Sequence, residues 1–211
     1  KHQIAQEIRA LMSSESVIGI QKMDSSLVLK TTKLLHSMYQ FSDFNALWLD
    51  AKNLEDAFFV IEESAWDGFW PADYHLEAIR ELSAETNREH VDFKRLALRD
   101  ILLSDAIITL ARHLVEGKTD PVRFEPSWNY PTWSFSSEKA LSLVQALDNL
   151  QLREWIRGQR PALSSYALMR QSLMHYYQIK ENGGWDALPE PECRKLEPGD
   201  VAAEGHSEVL L

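Results

Sequence analysis

The chain has 211 residues, of which 45% are hydrophobic and 10% are aromatic, and its formal net charge is −10. That length and apolar content suit one globular core and exclude an intrinsically disordered chain. The negative charge, without any long run of Lys or Arg, argues against binding to nucleic-acid phosphates or to an anionic membrane surface. No stretch of the sequence has the roughly 18 consecutive apolar residues that a membrane-spanning helix needs.

Apolar side chains at helical spacing predict three helices in the first third of the chain. Residues 1–14 form a short helix, and residues 27–39 form a second one after a serine-rich link. A third helix begins at Asn53, whose side chain can cap it, and ends at Gly68. The inward residues of the three are Ile4, Ile8, Leu11 and Met12; Leu27, Leu34, Leu35 and Met38; and Leu54, Ala57, Phe58, Ile61 and Ala65.

The stretch from residue 94 to residue 121 predicts the central helix of the fold. Its apolar residues recur mostly three and four apart and cover much of the helix circumference, so other helices should enclose it. Gly117 can end this helix in a left-handed conformation, and Pro121 prevents it from resuming. We expect the helix to span about residues 91–117. Its inward residues are Leu96, Leu98, Ile101, Leu102, Leu103, Ala106, Ile107, Leu110, Ala111 and Leu114.

Three more helices are predicted on either side of this one. Pro71 suits the first turn of a short helix, and Ser136 can cap a helix over residues 137–150. A last long helix runs to about Asn182, where Gly183 and Gly184 stop it. The inward residues are Tyr74, Ala78, Ile79 and Leu82; Ala140, Leu141, Val144 and Leu147; and Tyr166, Met169 or Arg170, Leu173, Tyr176 or Tyr177, and Lys180.

No segment alternates as a half-buried strand does, so the predicted fold class is all-α. We expect an irregular multi-helix bundle around the central helix. Two segments without a period complete it. One is an aromatic loop containing Trp128, Tyr130 and Trp133, and the other is a Pro/Gly-rich segment from Trp185 onward. The aromatic rings either cover one end of the core or stack on a sugar ring or peptide, so they are a candidate interaction surface.

The cysteine and histidine residues, which are common in catalytic and metal sites, are scattered along the sequence rather than clustered. Cys193 lies between prolines without a neighbouring His, and no two of the seven His lie within five residues of each other. A catalytic thiolate needs an activating base, and a zinc site needs closely spaced ligands. We therefore expect no catalytic residue, no metal and no cofactor. His75, after Asp73 and Tyr74, is more typical of a cap or packing residue than of an acid–base group.

Acidic pairs are the other candidate for chemistry. Glycoside hydrolysis needs two carboxyl groups across a sugar bond, and Glu62 with Glu63, or Asp50 with Asp56, are pairs of that kind. In a chain this acidic such pairs arise by chance. Asp105 on the central helix is expected to be buried and hydrogen-bonded to backbone or hydroxyl groups, because a buried charge needs partners.

Four segments carry a resemblance to one family. They are residues 67–75 (DGFWPADYH), residues 103–106 with 117–121 and Trp128, residues 161–177, and residues 183–189 with 196–200. In this order and spacing they resemble the N-terminal scaffold region of the large murein L,D-transpeptidases of Gram-negative bacteria. Structural rather than catalytic roles are expected for Asp105, Pro71, Tyr74, Gly117, Pro121, Gly183, Gly184 and Trp185.

The resemblance implies a periplasmic parent enzyme anchored in the inner membrane, with peptidoglycan-binding and catalytic domains downstream. It implies 3→3 cross-linking through an acyl-cysteine, but the family's His–Cys signature has no match in this sequence. Partners would be those downstream domains, together with peptidoglycan and other cell-wall synthesis proteins. The expected organisation is residues 1–26 as a helical extension, 27–189 as the helical scaffold, and 190–211 as a linker. The alternative is a free-standing helical module that binds protein or glycan.

Overall fold

The structure, a computed structural model, describes residues 2–13, 28–84, 91–123, 125, 127 and 134–185. Within these ranges it is all-helical, as predicted, with eight α-helices and no strand. The α-helices are α1 (His2–Leu11), α2 (Thr32–Phe41), α3 (Ala51–Glu63), α4 (Leu76–Ala84), α5 (Phe93–Glu116), α6 (Ser137–Asp148), α7 (Leu152–Arg157) and α8 (Ser164–Glu181). Short 3-10 helices span Ser64–Asp67, Pro71–Tyr74 and Pro121–Arg123.

The chain divides into two compact units, residues 1–173 and residues 174–211, with the boundary inside α8. The first unit contains every buried apolar side chain of the described residues. The second contains the end of α8, where Gly183 and Gly184 have φ angles of 106° and 78°. None of the described helices has the length and apolar character needed to cross a membrane.

Helix α5 is the centre of the first unit, which confirms the sequence prediction. Every residue from 101 to 111 is buried, and α1, α2, α3 and α4 all pack against it. The Asp92 side chain caps its start by accepting a hydrogen bond from the Arg95 backbone N–H at 3.0 Å. It ends at Gly117, whose φ of 84° is accessible to glycine at little cost.

The predicted cap of α3 was wrong by three residues. Asp50 caps this helix, because its carboxylate accepts the backbone N–H of Lys52 at 2.8 Å and of Asn53 at 3.4 Å. Asn53 therefore lies inside the helix and is buried. Its Nδ2 donates to the Leu147 carbonyl oxygen at 2.9 Å, which joins α3 to the end of α6. The predicted stop at Gly68 is present, with a φ of 82°.

Two other helix boundaries differ from the prediction, because groups that lie at these boundaries contact the Asp105 carboxylate. Helix α2 was predicted from residue 27 but begins at Thr32, since the N–H groups of Lys30 and Thr31 donate to the Asp105 carboxylate. The Pro71 helix is a 3-10 turn that breaks at His75, whose φ is 54°. This break brings the His75 ring against Asp105, and α4 continues from residue 76.

The C-terminal helices of the first unit follow the prediction in position but not in packing. Ser136 caps α6 through the Lys139 N–H at 3.3 Å. Residues 152–157 form α7, a short helix that was not predicted from the sequence. The inward stripe predicted for α8 is wrong, because no residue of this helix is buried and Met169 is 72% exposed. The start of α8, which belongs to the first unit, makes polar contacts there instead, through Tyr166 and Arg170.

Candidate functional site: a buried aspartate brace on the central helix

Asp105 lies at the middle of α5 and is completely buried. Its Oδ1 accepts hydrogen bonds from the Thr31 backbone N–H at 2.8 Å and from the Thr31 hydroxyl at 2.6 Å. Both carboxylate oxygens lie 3.1 Å from the Lys30 N–H, and Oδ2 lies 2.9 Å from His75 Nε2. A buried carboxylate with this many donors is well compensated. The result is that one side chain joins α5, the start of α2 and the start of α4.

Asp100 makes a second junction one and a half turns earlier on the same helix. Its Oδ1 accepts from the Tyr39 hydroxyl at 2.7 Å and from the Leu47 N–H at 3.1 Å, and Oδ2 accepts from the Trp48 N–H at 2.9 Å. Ser104 completes it, because its Oγ lies 2.9 Å from both the Tyr39 hydroxyl and the Trp48 indole nitrogen. This junction joins α5 to the end of α2 and to the loop before α3.

We call these two junctions together the aspartate brace. It consists of Asp100, Ser104 and Asp105 on α5 and of Thr31, Tyr39, Trp48 and His75 around it. All seven side chains are buried or nearly so. Since each bond joins segments far apart in sequence, the brace determines how the N-terminal helices sit on α5.

Burial shifts the pKa of two residues of the brace, Asp100 and Tyr39. It raises the pKa of Asp100 to about 6, against the lowering effect of the N–H groups of Leu47 and Trp48 and of the Tyr39 hydroxyl. Burial and the adjacent Asp100 also raise the pKa of Tyr39 well above its ordinary value. Tyr39 therefore stays a hydrogen-bond donor, and Asp100 takes up a proton in mildly acidic solution.

His113 forms a small aromatic cluster beside the brace. Its Nδ1 lies 3.0 Å from the Tyr74 hydroxyl, and Phe69 packs against both rings. Burial, together with repulsion from Lys118 and Lys30, lowers the pKa of His113 to about 4. The imidazole is therefore neutral at pH 7, and its Nδ1 shares a hydrogen bond with the Tyr74 hydroxyl. This histidine packs and hydrogen-bonds within the fold.

A third carboxylate with a buried side chain, that of Asp67, attaches the beginning of α8. Arg160 binds it through Nε at 2.9 Å and through Nη2 at 2.9 Å, and the Tyr166 hydroxyl donates to it at 2.8 Å. Arg170 Nε donates to it at 3.0 Å and also contacts Glu63. Two-pronged arginine–carboxylate contacts fix orientation as well as distance. Asp67 thus explains why α8 needs no buried apolar stripe.

The acidic pairs considered for glycoside hydrolysis are engaged in similar contacts. Asp50 caps α3, while Asp56 contacts Lys52 and Arg153. Glu62 binds Arg80 at 2.6 Å, and Glu63 binds Arg160 at 3.4 Å. In each case the carboxylate already has a partner within the fold, and the described residues contain no group of side chains that could hold a metal ion.

The structure describes most of the residues singled out from the sequence, but it does not bring them into one site. Trp128, Tyr130, Trp133 and Cys193 lie outside the described residues. Asp105 belongs to the brace, and Tyr74 contacts His113 beside it. The others lie at element boundaries: Pro71, Gly117, Pro121, Gly183, Gly184 and Trp185, the last of which packs on Tyr176 with ring centroids 5.9 Å apart.

Sequence reasoning missed Asp100, Ser104, Tyr39 and Trp48. A signal was available, because residues 100, 104 and 105 are polar positions within an otherwise largely apolar stretch of helix. Polar groups on the buried face of a central helix must find partners. Which partners they find depends on the loop before α3, whose path no local pattern reveals.

A family model described as a scaffold domain matches residues 33–173, well over half of the chain. This chain belongs to the scaffold-domain family. The match of the scaffold domain begins in α2, includes Asp100 and Asp105, and ends at the boundary of the first compact unit. Searches of the curated proteins and of the solved structures found no match.

Proposed function

We propose that this scaffold domain is the non-catalytic helical part of a periplasmic murein L,D-transpeptidase. In the proposal it positions a peptidoglycan-binding domain and a catalytic domain for 3→3 cross-linking. Two findings support it: membership of the scaffold-domain family, and the four sequence segments that resemble these enzymes. The chemistry would belong to another part of the polypeptide.

The observation behind a supporting role is that buried carboxylates connect distant parts of the chain. Asp105, Asp100 and Asp67 each join chain segments that are far apart in sequence. A platform held in this way resists bending, because moving one segment leaves a buried carboxylate unpaired. Rigid placement contributes to catalysis, since misplaced reacting groups lose rate steeply.

The cellular setting is part of the same proposal. The parent protein would lie in the periplasm, held to the inner membrane by an N-terminal anchor. Its partners would be its own downstream domains, together with peptidoglycan and other cell-wall synthesis proteins. The net charge of −10 is consistent with the absence of nucleic acid from these partners.

The test compares the isolated scaffold domain with the complete polypeptide. Given tetrapeptide donors, the isolated chain should form no 3→3 cross-link in a muropeptide assay. In the complete polypeptide, Asp105→Asn should lower cross-linking while the catalytic thiol still reacts with a small thiol reagent. Cross-linking by the isolated chain would contradict the proposal, as would a downstream reading frame without a His–Cys catalytic segment.

A second candidate is a free-standing module that binds protein or glycan. It is favoured by three large apolar side chains that are exposed around one groove, at Phe41, Leu49 and Leu150. Co-sedimentation with purified sacculi distinguishes a module that binds glycan from a platform that only positions other domains. Binding by the isolated chain, lost in a variant of the groove but not of the brace, would favour the module.

A further inference from the structure

A groove of about 550 Å³ lies between the loop before α3 and the end of α6. Its rim carries Phe41, Leu49 and Leu150, which are 58%, 40% and 46% exposed. Large apolar residues scattered over a surface need no explanation, but several around one concavity are typical of a binding surface. The groove is therefore shaped and lined like a recognition site rather than like ordinary surface.

The charge around this groove has one sign. Asp50 and Asp148 are exposed residues of its lining, and no Lys, Arg or His belongs to that lining. Interfaces match a negative patch with a positive partner. The groove therefore favours a cationic group carried on an apolar stem.

Asn53 provides an independent observation in the same groove. This lining residue is 3% exposed, and its Nδ2 is held by the Leu147 carbonyl at 2.9 Å. Its Oδ1 has no hydrogen-bond partner among the described residues. Turning the amide over would only exchange one unpaired group for another, since Leu147 offers an oxygen. A buried acceptor without a donor costs free energy that an occupant's N–H would recover as the side chains of the groove shift to admit it.

We propose that this groove binds a lysine-bearing peptide segment of a partner protein. The ammonium lies between Asp50 and Asp148, the neighbouring apolar side chains pack on the rim, and an N–H group satisfies Asn53. Lysine fits better than arginine because Asp50 already uses Oδ1 to cap α3. A guanidinium is bound best by both oxygens of a free carboxylate, whereas an ammonium needs only single acceptors. The proposal does not depend on the cell-wall setting.

The test measures binding of a dye-labelled, acetylated peptide of alternating leucine and lysine to the whole chain by fluorescence anisotropy. Matched peptides carry glutamate in place of lysine, or serine in place of leucine. We expect the lysine–leucine peptide to bind at least about tenfold more tightly than either, and to weaken as salt is raised. Equal binding of the glutamate peptide would overturn the proposal, as would no binding of the lysine peptide.

Two groove variants keep the fold while changing the groove. Asp50→Asn combined with Asp148→Asn removes both charges, and asparagine caps a helix as well as aspartate does. Leu150→Asn removes rim area, and asparagine tolerates the φ of 57° at this position. We expect the charge variant to bind the lysine peptide about tenfold more weakly and Leu150→Asn about fivefold more weakly.

Matched controls change the same kinds of residue elsewhere. Glu154→Gln removes an exposed acid from α7, and Leu163→Asn removes an apolar residue that is 64% exposed. Both should bind the lysine peptide within about twofold of the unchanged chain. Loss of binding in the controls equal to that in the groove variants would place the peptide elsewhere. Self-association that Leu150→Asn abolishes in analytical ultracentrifugation would assign the groove to a second copy of the chain.

Discussion

At the scale of single residues, the fold depends on a few buried carboxylates whose partners come from other parts of the chain. Asp105 accepts hydrogen bonds from two backbone N–H groups and one hydroxyl, and His75 lies against its other oxygen. Removing such a group leaves its donors buried and unpaired, which costs more than the pair itself contributes. Exposed ion pairs, such as that of Arg9 with Asp43, contribute little in comparison.

This comparison gives a first prediction. Asp105→Ala should lower the free energy of unfolding by roughly 3 kcal/mol or more, because Lys30 and Thr31 lose their acceptor. The measurement is equilibrium unfolding in urea. Asp43→Asn, which removes an exposed charge and keeps a residue that tolerates the φ of 49°, should leave the midpoint unchanged. An Asp105→Ala midpoint equal to that of the unchanged chain would contradict the role of the brace.

The raised pKa of Asp100 gives a second prediction. Its pKa is about 6 when folded and 3.8 at its ordinary value, so the folded chain takes up a proton as pH falls from 6 to 4. The Asp100 contribution to stability therefore grows on acidification, by at most roughly 3 kcal/mol, and is lost again above pH 6. Asp100→Asn should lose stability relative to the unchanged chain across this window, measured by urea unfolding at each pH.

His113 should show the opposite sign. Its pKa is about 4 in the folded chain against an ordinary 6.5, so its contribution is present above pH 6.5 and is lost as pH falls towards 4. His113→Gln should therefore gain stability relative to the unchanged chain on acidification, while Tyr74 keeps an acceptor. The same urea series measures it. Parallel pH profiles for the glutamine variant and the unchanged chain would show that His113 does not titrate as described.

At the scale of elements, helix ends are set by single residues with unusual backbone angles. Gly68 ends the 3-10 helix after α3 at a φ of 82°, with no other atom within 4 Å of an added Cβ. Gly158 follows α7 at a φ of −68°, which any residue adopts. A side chain is therefore disfavoured at Gly68 by backbone conformation alone, and it is tolerated at Gly158.

The two glycines form a matched pair for a fourth prediction. Gly68→Ala should lower the free energy of unfolding by about 1 kcal/mol, since alanine is strained in the left-handed region. Gly158→Ala should be neutral or slightly stabilising, because alanine restricts the unfolded chain and meets only ordinary contacts at 3.4 Å. Thermal unfolding of both variants measures the difference. A Gly68→Ala chain as stable as Gly158→Ala would show that this backbone angle is not required.

At the scale of the whole molecule, the core of the first unit extends beyond the range that the family model matches. Helix α1 precedes that range, yet its apolar side chains are buried in the same core as α5. The donors of Lys30 and Thr31 also precede it. The folding unit therefore requires residues N-terminal to residue 33. The apolar residues of the first segment are Ile4, Ile8, Leu11 and Met12.

This gives a fifth prediction. Deleting residues 1–13 should lower the thermal midpoint strongly, because each of four buried apolar side chains contributes about 1.5–3 kcal/mol. Deleting residues from 174 onward should leave it nearly unchanged, since no described residue there is a buried apolar one. Calorimetry of the two truncated chains makes the comparison. A deletion of residues 1–13 with no effect would mean that α1 is not part of the core.

Much of the fold follows from local patterns. The α5 stripe, Gly117 and the Ser136 cap were predicted nearly in place, because helical period and capping chemistry act over a few residues. The α3 cap was misplaced, since Asp50 and Asn53 are equally good caps and the choice between them depends on whether Asn53 reaches Leu147. The packing of α8 was missed because Asp67 lies almost a hundred residues from Tyr166.

The sequence by itself determined that this protein is all-helical and predicted its central helix at about residues 91–117. These properties follow from the spacing of apolar side chains within one segment, which does not depend on how the segments pack together. Only the tertiary structure decided which donors surround Asp100 and Asp105, where α2 and α3 begin, and that a groove with an acidic rim opens beside Asn53. Those properties depend on contacts between residues some fifty to a hundred positions apart. Contacts over such distances produce no periodic pattern in the sequence.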